Sequence, residues 1–297
     1  MGLSAATTAA LRDGGLDPDA IETIARLAVA EDLDGGLDVT TVATVPAGHH
    51  SRGAFVPRRP GVVAGLPVAA AVLEVVVGDG LRLERPVADG AAVAAGTEVL
   101  VAHAPTAAML TAERTALNLL GRLSGIATAT RAWVDAVAGT GAAIRDTRKT
   151  TPGLRAREKY AVRCGGGVNH RMSLSDAALV KDNHVVAAGG VGAAFRAVRG
   201  RFPGIPLEIE CDTVEQVAEA IAEGADLVLL DNMSLDDTRR AVALARAQGG
   251  VRLEASGGLT LATARAVAET GVDFLAVGAL THSSPVLDIG LDVTAAR

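Results

Sequence analysis

Aromatic side chains are almost missing from this 297-residue chain: Phe55, Trp133, Tyr160, Phe195, Phe202 and Phe274 make up only 2% of it. A protein that grips single strands by stacking bases needs aromatic platforms, so that class is excluded. Cysteine is nearly absent too. Cys164 and Cys211 lie far apart and form neither a disulfide framework nor a CxxC or zinc pattern. Long apolar runs are lacking: no uncharged run exceeds 14 residues, short of the roughly 20 that cross a bilayer. The first residues have no basic-then-apolar pattern of a signal peptide. There is no excess of positive charge either, since the net charge is -6, which argues against a general polyanion binder. Hydrophobic residues still reach 49%, so the core must be built from Ala, Val, Leu and Ile. What remains is a globular α/β protein, expected in the cytoplasm, with no nucleic acid or membrane as partner.

Lysine is the most telling scarcity. Of 28 basic residues only three are lysines, Lys149, Lys159 and Lys181, and all fall within 33 positions. In a chain that uses Arg wherever it serves, a retained Lys marks a place for a compact ammonium on a flexible stem. The plainer reading is chance clustering of rare residues, and this pattern alone does not separate the two.

Up to about residue 110 the chain reads as mixed α/β. Asp17-Pro18 is a helix start, with Ile21, Ile24, Ala25 and Ala28 following at helical spacing. Short apolar segments at 53–56, 61–64 and 99–102, broken by Pro and Gly, read as strands. A helix is predicted over 105–123, and its polar side carries Arg114, Asn118 and Arg122 at four-residue intervals. From about residue 140 six apolar runs, 142–144, 177–180, 207–209, 227–230, 251–255 and 274–277, each end in polar or glycine-bearing chemistry. Helices are predicted between them at 214–223, 235–247 and 261–269. Glu208, Arg252 and Glu254 weaken the third and fifth runs as strands. This series argues for a parallel β/α barrel, incomplete at six strands, with its site at the carboxyl ends. An open doubly wound sheet would put the site at the same ends.

Those ends hold a specific inventory. Arg145, Arg148, Lys149 and Lys181 supply cations, with His170-Arg171 between the first two strands. Such a cluster in a hollow is costly unless anions fill it. Glu210 and Asp231 would repel an anion unless a divalent ion such as Mg²⁺ bridges them to its phosphates. Ser256-Gly257-Gly258 and Val277-Gly278-Ala279 match the phosphate site of many barrels. Each feature also has a plainer reading. A lone acid at a strand end commonly anchors a loop, and Arg155, Arg157, Glu158 and Lys159 fit a solvated helix face. Cys164 has no placed base, so it is not assigned as a nucleophile. Cys211 reads as a small buried apolar residue, and His49, His50, His103 and His282 as structural or exposed.

The ordered stretches 146–155, 158–162 and 165–171 resemble the quinolinate phosphoribosyltransferase family, a resemblance that covers nearly the whole chain. So do Lys181-Asp182-Asn183-His184, Glu208-Ile209-Glu210, 229–233, 254–258, 277–281 and the upstream 113–118. Cys164, in the Arg163-Cys164-Gly165 turn, is the one visible deviation.

The resemblance implies a fold: an N-terminal α/β sandwich domain (1–124, with a return at 284–297) and a C-terminal incomplete parallel β/α barrel (125–283). It implies a pentosyltransferase that joins quinolinate to phosphoribosyl pyrophosphate and releases nicotinate mononucleotide, pyrophosphate and CO₂, in NAD biosynthesis. Arg114, Thr147, Arg148, His170, Arg171 and Lys181 would hold quinolinate, with Arg114 reaching in from the other subunit of a homodimer or higher oligomer. Lys149 would sit at the pyrophosphate. Glu210 and Asp231 would hold the ribose and Mg²⁺, and with Lys149 and Lys181 they form the expected catalytic set. Ser256, Gly257, Gly258, Val277, Gly278 and Ala279 would hold the 5-phosphate. Alternatives at this point are a nicotinate phosphoribosyltransferase, a molybdenum-locus paralogue, and a noncatalytic phosphosugar-binding module.

Overall fold

Asp17 does begin a helix, Pro18–Leu33, its carboxylate accepting from the Asp19 N–H at 3.1 Å. In the computed structural model, which describes residues 2–295, this helix belongs to the first of two units. That unit comprises Met1–Ala129, Ala156–Gly165 and Ser284–Arg297. Its sheet has four antiparallel strands in the order Ile289–Ala295, His50–Pro57, Leu100–Pro105, Arg82–Glu84. Phe55, Leu73, Met109, Leu120 and Leu287 share one buried cluster, an aliphatic core of the kind the composition demands.

The helix predicted over 105–123 runs further, from Thr106 to Ala136, because its apolar side continues through Ile126, Ala127 and Trp133. Gly121 and Gly125, one turn apart, let the returning chain lie against it. The Leu287 N–H donates to the Gly121 carbonyl at 3.0 Å, and a Cβ at Gly125 would meet Val286 Cα at 2.8 Å.

The helix Arg155–Cys164 corrects one expectation. Arg157, Glu158 and Lys159 are buried, not on a solvated face. Glu158 is fully buried and takes the Arg122 guanidinium at 2.8 Å, while Arg157 donates to the Ala20 carbonyl at 2.8 Å. Tyr160 donates to Asp89 at 2.6 Å. Partners so distant in sequence turn a charged stripe into an interior one.

The second unit, Thr130–Arg155 and Gly166–Ser283, carries six parallel strands. In chain order they are Ala143–Arg145, Ala178–Val180, Leu207–Cys211, Leu227–Asp231, Arg252–Ser256 and Phe274–Ala276. In space the order is first, sixth, fifth, fourth, third, second. That is the ring of a barrel opened at the seam between its first two strands; a doubly wound sheet would reverse direction midway. Helices Val214–Ala222, Leu235–Gln248 and Leu261–Ala268 alternate with the later strands. Thr213, Ser234 and Thr260 cap them, each side chain accepting from the backbone N–H three residues on. Glu208 and Glu254 lie within true strands, so their charges did not break the pattern. Among the described residues no helix is long and apolar enough to cross a membrane.

Candidate active site

Strand side chains alternate in direction, so every second residue of the barrel strands faces the same way. Leu179 and Lys181, Leu229 and Asp231, Glu254 and Ser256, and Ala276 and Gly278 are such pairs, and all of them line one cavity of about 700 Å³ in the second unit. That volume suits a small-molecule substrate. Thr147, Arg148, Lys149, His170, Arg171, Gly257, Gly258, Val277 and Ala279 complete the predicted part of its wall.

The mouth is cationic. Lys149 is exposed, and its backbone is fixed at both ends: its N–H donates to Thr147 Oγ1 at 3.0 Å and its carbonyl accepts from Thr281 Oγ1 at 2.8 Å. Arg171 donates to the Ala177 carbonyl at 2.9 Å. Burial, and then the like charge of Arg148, hold its guanidinium below the usual arginine range. Lys181 is paired through its ammonium with Glu210. The carboxylate of Asp231 accepts from Asn232 at 2.7 Å, and Asn232 adopts a left-handed backbone, φ 52°. Gly257 also has positive φ, 87°, and a Cβ there would strike the Asn232 side chain, so this turn requires glycine. At Gly278 the demand comes from a side chain, since a Cβ would stand 2.8 Å from Lys149 Cδ.

Beneath this ring lies a buried layer of charge. Arg145 pairs with the fully buried Glu254 at 2.6 Å and its guanidinium stacks 4.8 Å from the centre of the Phe274 ring. His170 Nε2 is 2.8 Å from Glu208 and 3.7 Å from Glu254. Burial pushes Glu208 up to about 7 against the pull of Arg145, Lys181 and Arg171. Glu254 is pushed up to about 7 as well, by burial and then by the charge of Glu208.

The structure thus brings together Thr147, Arg148, Lys149, His170, Arg171, Lys181, Asp231, Ser256, Gly257, Gly258, Val277, Gly278 and Ala279. Glu210 is buried behind Lys181 and does not line the cavity wall. Arg114 belongs to the first unit, exposed on the helix Thr106–Ala136. His282, read as merely structural or exposed, is exposed but stands on the cavity wall, and Asn232 and Glu254 join it there unpredicted. The signal for Glu254 was present in the two-residue alternation that also places Ser256. Of the three lysines, Lys149 and Lys181 line the cavity, while Lys159 is buried in the first unit. Cys164 has its thiol pushed up to about 12 by burial and then by Asp89, the opposite of a poised nucleophile. Cys211 is fully buried.

A parallel barrel that gathers cations, an acid and two glycine-bearing turns at its strand ends has the site of an enzyme acting on phosphorylated anions. Residues 38–124 match the profile of the quinolinate phosphoribosyl transferase N-terminal domain, and residues 126–292 that of its C-terminal domain. The chain is 56% identical to the nicotinate-nucleotide pyrophosphorylase [carboxylating] of Mycobacterium leprae, over 93% of this chain and 98% of that one. Its fold is similar to NadC from Streptococcus pyogenes, with TM-score 0.90 and 36% identity, covering 95% and 99% of the two chains. It is also similar to the nicotinate-nucleotide pyrophosphorylase of Francisella tularensis, with TM-score 0.88 and 35% identity over 93% and 96%. The chain belongs to the quinolinate phosphoribosyltransferase family.

Proposed function

We propose that this protein is a decarboxylating quinolinate phosphoribosyltransferase: it converts quinolinate and phosphoribosyl pyrophosphate to nicotinate mononucleotide, pyrophosphate and CO₂. The observation that carries the proposal is the convergence of Arg148, Lys149, Arg171 and Lys181 on one cavity with Asp231 and both small-residue turns. A rigid dicarboxylate needs several cations set apart from one another, and an Arg fork grips a carboxylate in two bonds. Arg148, Arg171 and Lys181 take that role, with His170 beside them. The Thr147 hydroxyl accepts from the Lys149 N–H and keeps its own proton to donate. Lys149 faces the pyrophosphate. The turns Ser256–Gly258 and Val277–Ala279 present backbone close to the 5-phosphate, because neither has a bulky side chain in the way.

The chemistry follows from where charge develops. As the bond from the anomeric carbon to pyrophosphate breaks, Lys149 stabilises the departing anion, and the Asp231 carboxylate faces the positive charge left on the sugar. The ring nitrogen of quinolinate, held still by its two carboxylates, forms the new bond to that carbon. The nitrogen is then quaternary. It stabilises the electron pair left on the adjacent carbon when its carboxylate departs as CO₂, and that carbon takes a proton.

Carboxylates and phosphate oxygens are the donors Mg²⁺ prefers, so Asp231 fits such an ion. Glu210 is engaged with Lys181 and with the Asp182 N–H at 3.4 Å, so it joins only if that ammonium moves away. Once bound there, Mg²⁺ would neutralise pyrophosphate charge. The active assembly is a homodimer, or a multiple of it, in which Arg114 of one subunit serves the site of the other. That proposal gives a function to an exposed arginine on the polar side of the helix Thr106–Ala136. The reaction takes place in the cytoplasm.

The test is CO₂ release from carboxyl-labelled quinolinate. It should require phosphoribosyl pyrophosphate and Mg²⁺, and nicotinate offered in place of quinolinate should yield no pyrophosphate. Release without phosphoribosyl pyrophosphate, or equal use of nicotinate, would refute the assignment.

A further inference from the structure

The lysine at the mouth of the cavity owes its position to a threonine 132 residues further along the chain. The segment that carries it, 146–154, has no helix or strand of its own, so its path is set by what it is bonded to. Thr281, fully buried, donates through Oγ1 to the Lys149 carbonyl at 2.8 Å. The Gly278 carbonyl is the competing acceptor, but it lies at 3.4 Å and already takes the Thr281 N–H at 3.2 Å. A hydroxyl has one proton, so it goes to Lys149. Thr281 stands in the four-residue helix Ala279–His282, directly behind the turn Val277–Ala279. Two further contacts tie that turn to the end of the first strand and the segment after it. The Val277 N–H donates to the Arg145 carbonyl at 2.9 Å, and Gly278 leaves room for the Lys149 stem, whose Cδ a Cβ would meet at 2.8 Å.

We infer that Thr281 is a positioning residue: by holding the Lys149 carbonyl it aims that ammonium and sets its distance from the turn that takes the 5-phosphate. A lysine has a flexible four-carbon stem, so where its charge falls depends first on where its backbone is fixed. The Lys149 N–H is bonded within its own segment, to Thr147 at 3.0 Å, and that bond moves with the segment. The bond from Thr281 anchors the segment to the interior of the barrel instead. The two ends of phosphoribosyl pyrophosphate, its 5-phosphate and its pyrophosphate, are then gripped by parts of the protein that one buried donor joins. The inference rests on the reading of Lys149 as the pyrophosphate ligand and of Val277–Ala279 as a phosphate turn.

The experiment is Thr281→Val, which keeps the branched shape but loses the donor, alongside Thr281→Ser, which keeps the donor. Thr281→Val should lower kcat about tenfold, the factor that one lost buried hydrogen bond carries, and Thr281→Ser should recover most of the loss. The KM for quinolinate should stay within about twofold. In a Lys149→Ala background Thr281→Val should cost almost nothing further, because a residue that acts through Lys149 then has nothing left to aim. An unchanged kcat, an equal loss in Thr281→Ser, a tenfold rise in the quinolinate KM, or full additivity with Lys149→Ala would overturn the inference. Carbonyl ¹³C NMR of lysine-labelled protein gives a readout that needs no turnover, and the three lysines give only three signals. Lys149→Ala identifies the one that belongs to Lys149. Thr281→Val should move that signal and Thr281→Ser should leave it in place; a signal unmoved in Thr281→Val would overturn the inference. A wild type that turns over no quinolinate would sink the reading of the site, while the carbonyl signal would still decide for or against the contact.

Discussion

Arg145→Met puts the buried charge layer to its hardest test. Glu254 has a side chain with no exposure and Arg145 lies 2.6 Å from it, itself only 16% exposed, so the substitution strands an acid in the interior. Removing one partner of such a pair costs about 3–5 kcal/mol, far more than the pair contributes net. At about 2–4 °C per kcal/mol, the thermal midpoint should fall by about 10 °C. The pH dependence supplies the sharper signature. Glu254 sits at about 7 in the native state against an ordinary 4.5, because of burial and then the charge of Glu208. The native state therefore binds that proton more tightly than the unfolded chain, and the stability this gives is lost as pH rises from about 4.5 through about 7. Without Arg145 the carboxyl keeps its proton to still higher pH, so the deficit should be small near pH 5 and full near pH 8. Glu254→Gln added to Arg145→Met should restore most of the midpoint at pH 8. Calorimetry on the wild type, Arg145→Met and the double variant at both pH values measures this. A deficit independent of pH, or one that survives in the double variant, would refute the view that an uncompensated acid is its cause.

Three further outcomes follow from the cavity. Lys149→Ala should lower turnover by about 10² or more in a folded protein, the usual scale for a lost electrostatic contact to a transition state, as a steady-state assay would register. Gly278→Ala, whose new Cβ would crowd Lys149 Cδ at 2.8 Å, should raise the KM for phosphoribosyl pyrophosphate and leave the thermal midpoint nearly unchanged, since the backbone there is an ordinary φ of −63°. Arg114→Ala and Lys149→Ala, each inactive alone, should regain activity when unfolded and refolded as a mixture, because a mixed dimer holds one intact site; a mixture with no activity would refute the shared arrangement.

Much of this arrangement is legible in the amino-acid sequence. Strand ends that alternate with helices collect on one side of a barrel, so 147–149, 181, 231, 256–258 and 277–279 could be placed together from spacing alone. The limits came from long-range pairing. Glu208 and Glu254 looked like flaws in their strands because nothing local hinted that Arg145 and His170 would stand opposite them. The stripe Arg157-Glu158-Lys159 read as solvated because its partners, Arg122 and Ala20 among them, are remote in sequence. Glu210 shows a third kind of limit. Its place at a strand end suggested a group facing the substrate, but it is buried, off the cavity wall and engaged by Lys181, a matter of which neighbour reaches it first.

The strand Ile289–Ala295 pairs along His50–Pro57, and Arg58 meets Asp292 across 234 positions of chain. On the ribosome this means that every residue of the second unit is translated before the first unit can finish its sheet. Until then His50–Pro57 stands as a bare edge, able to pair with the wrong strand or with another nascent chain. Expression at low temperature, or with a holdase chaperone in excess, should therefore help this protein more than stabilising its barrel would.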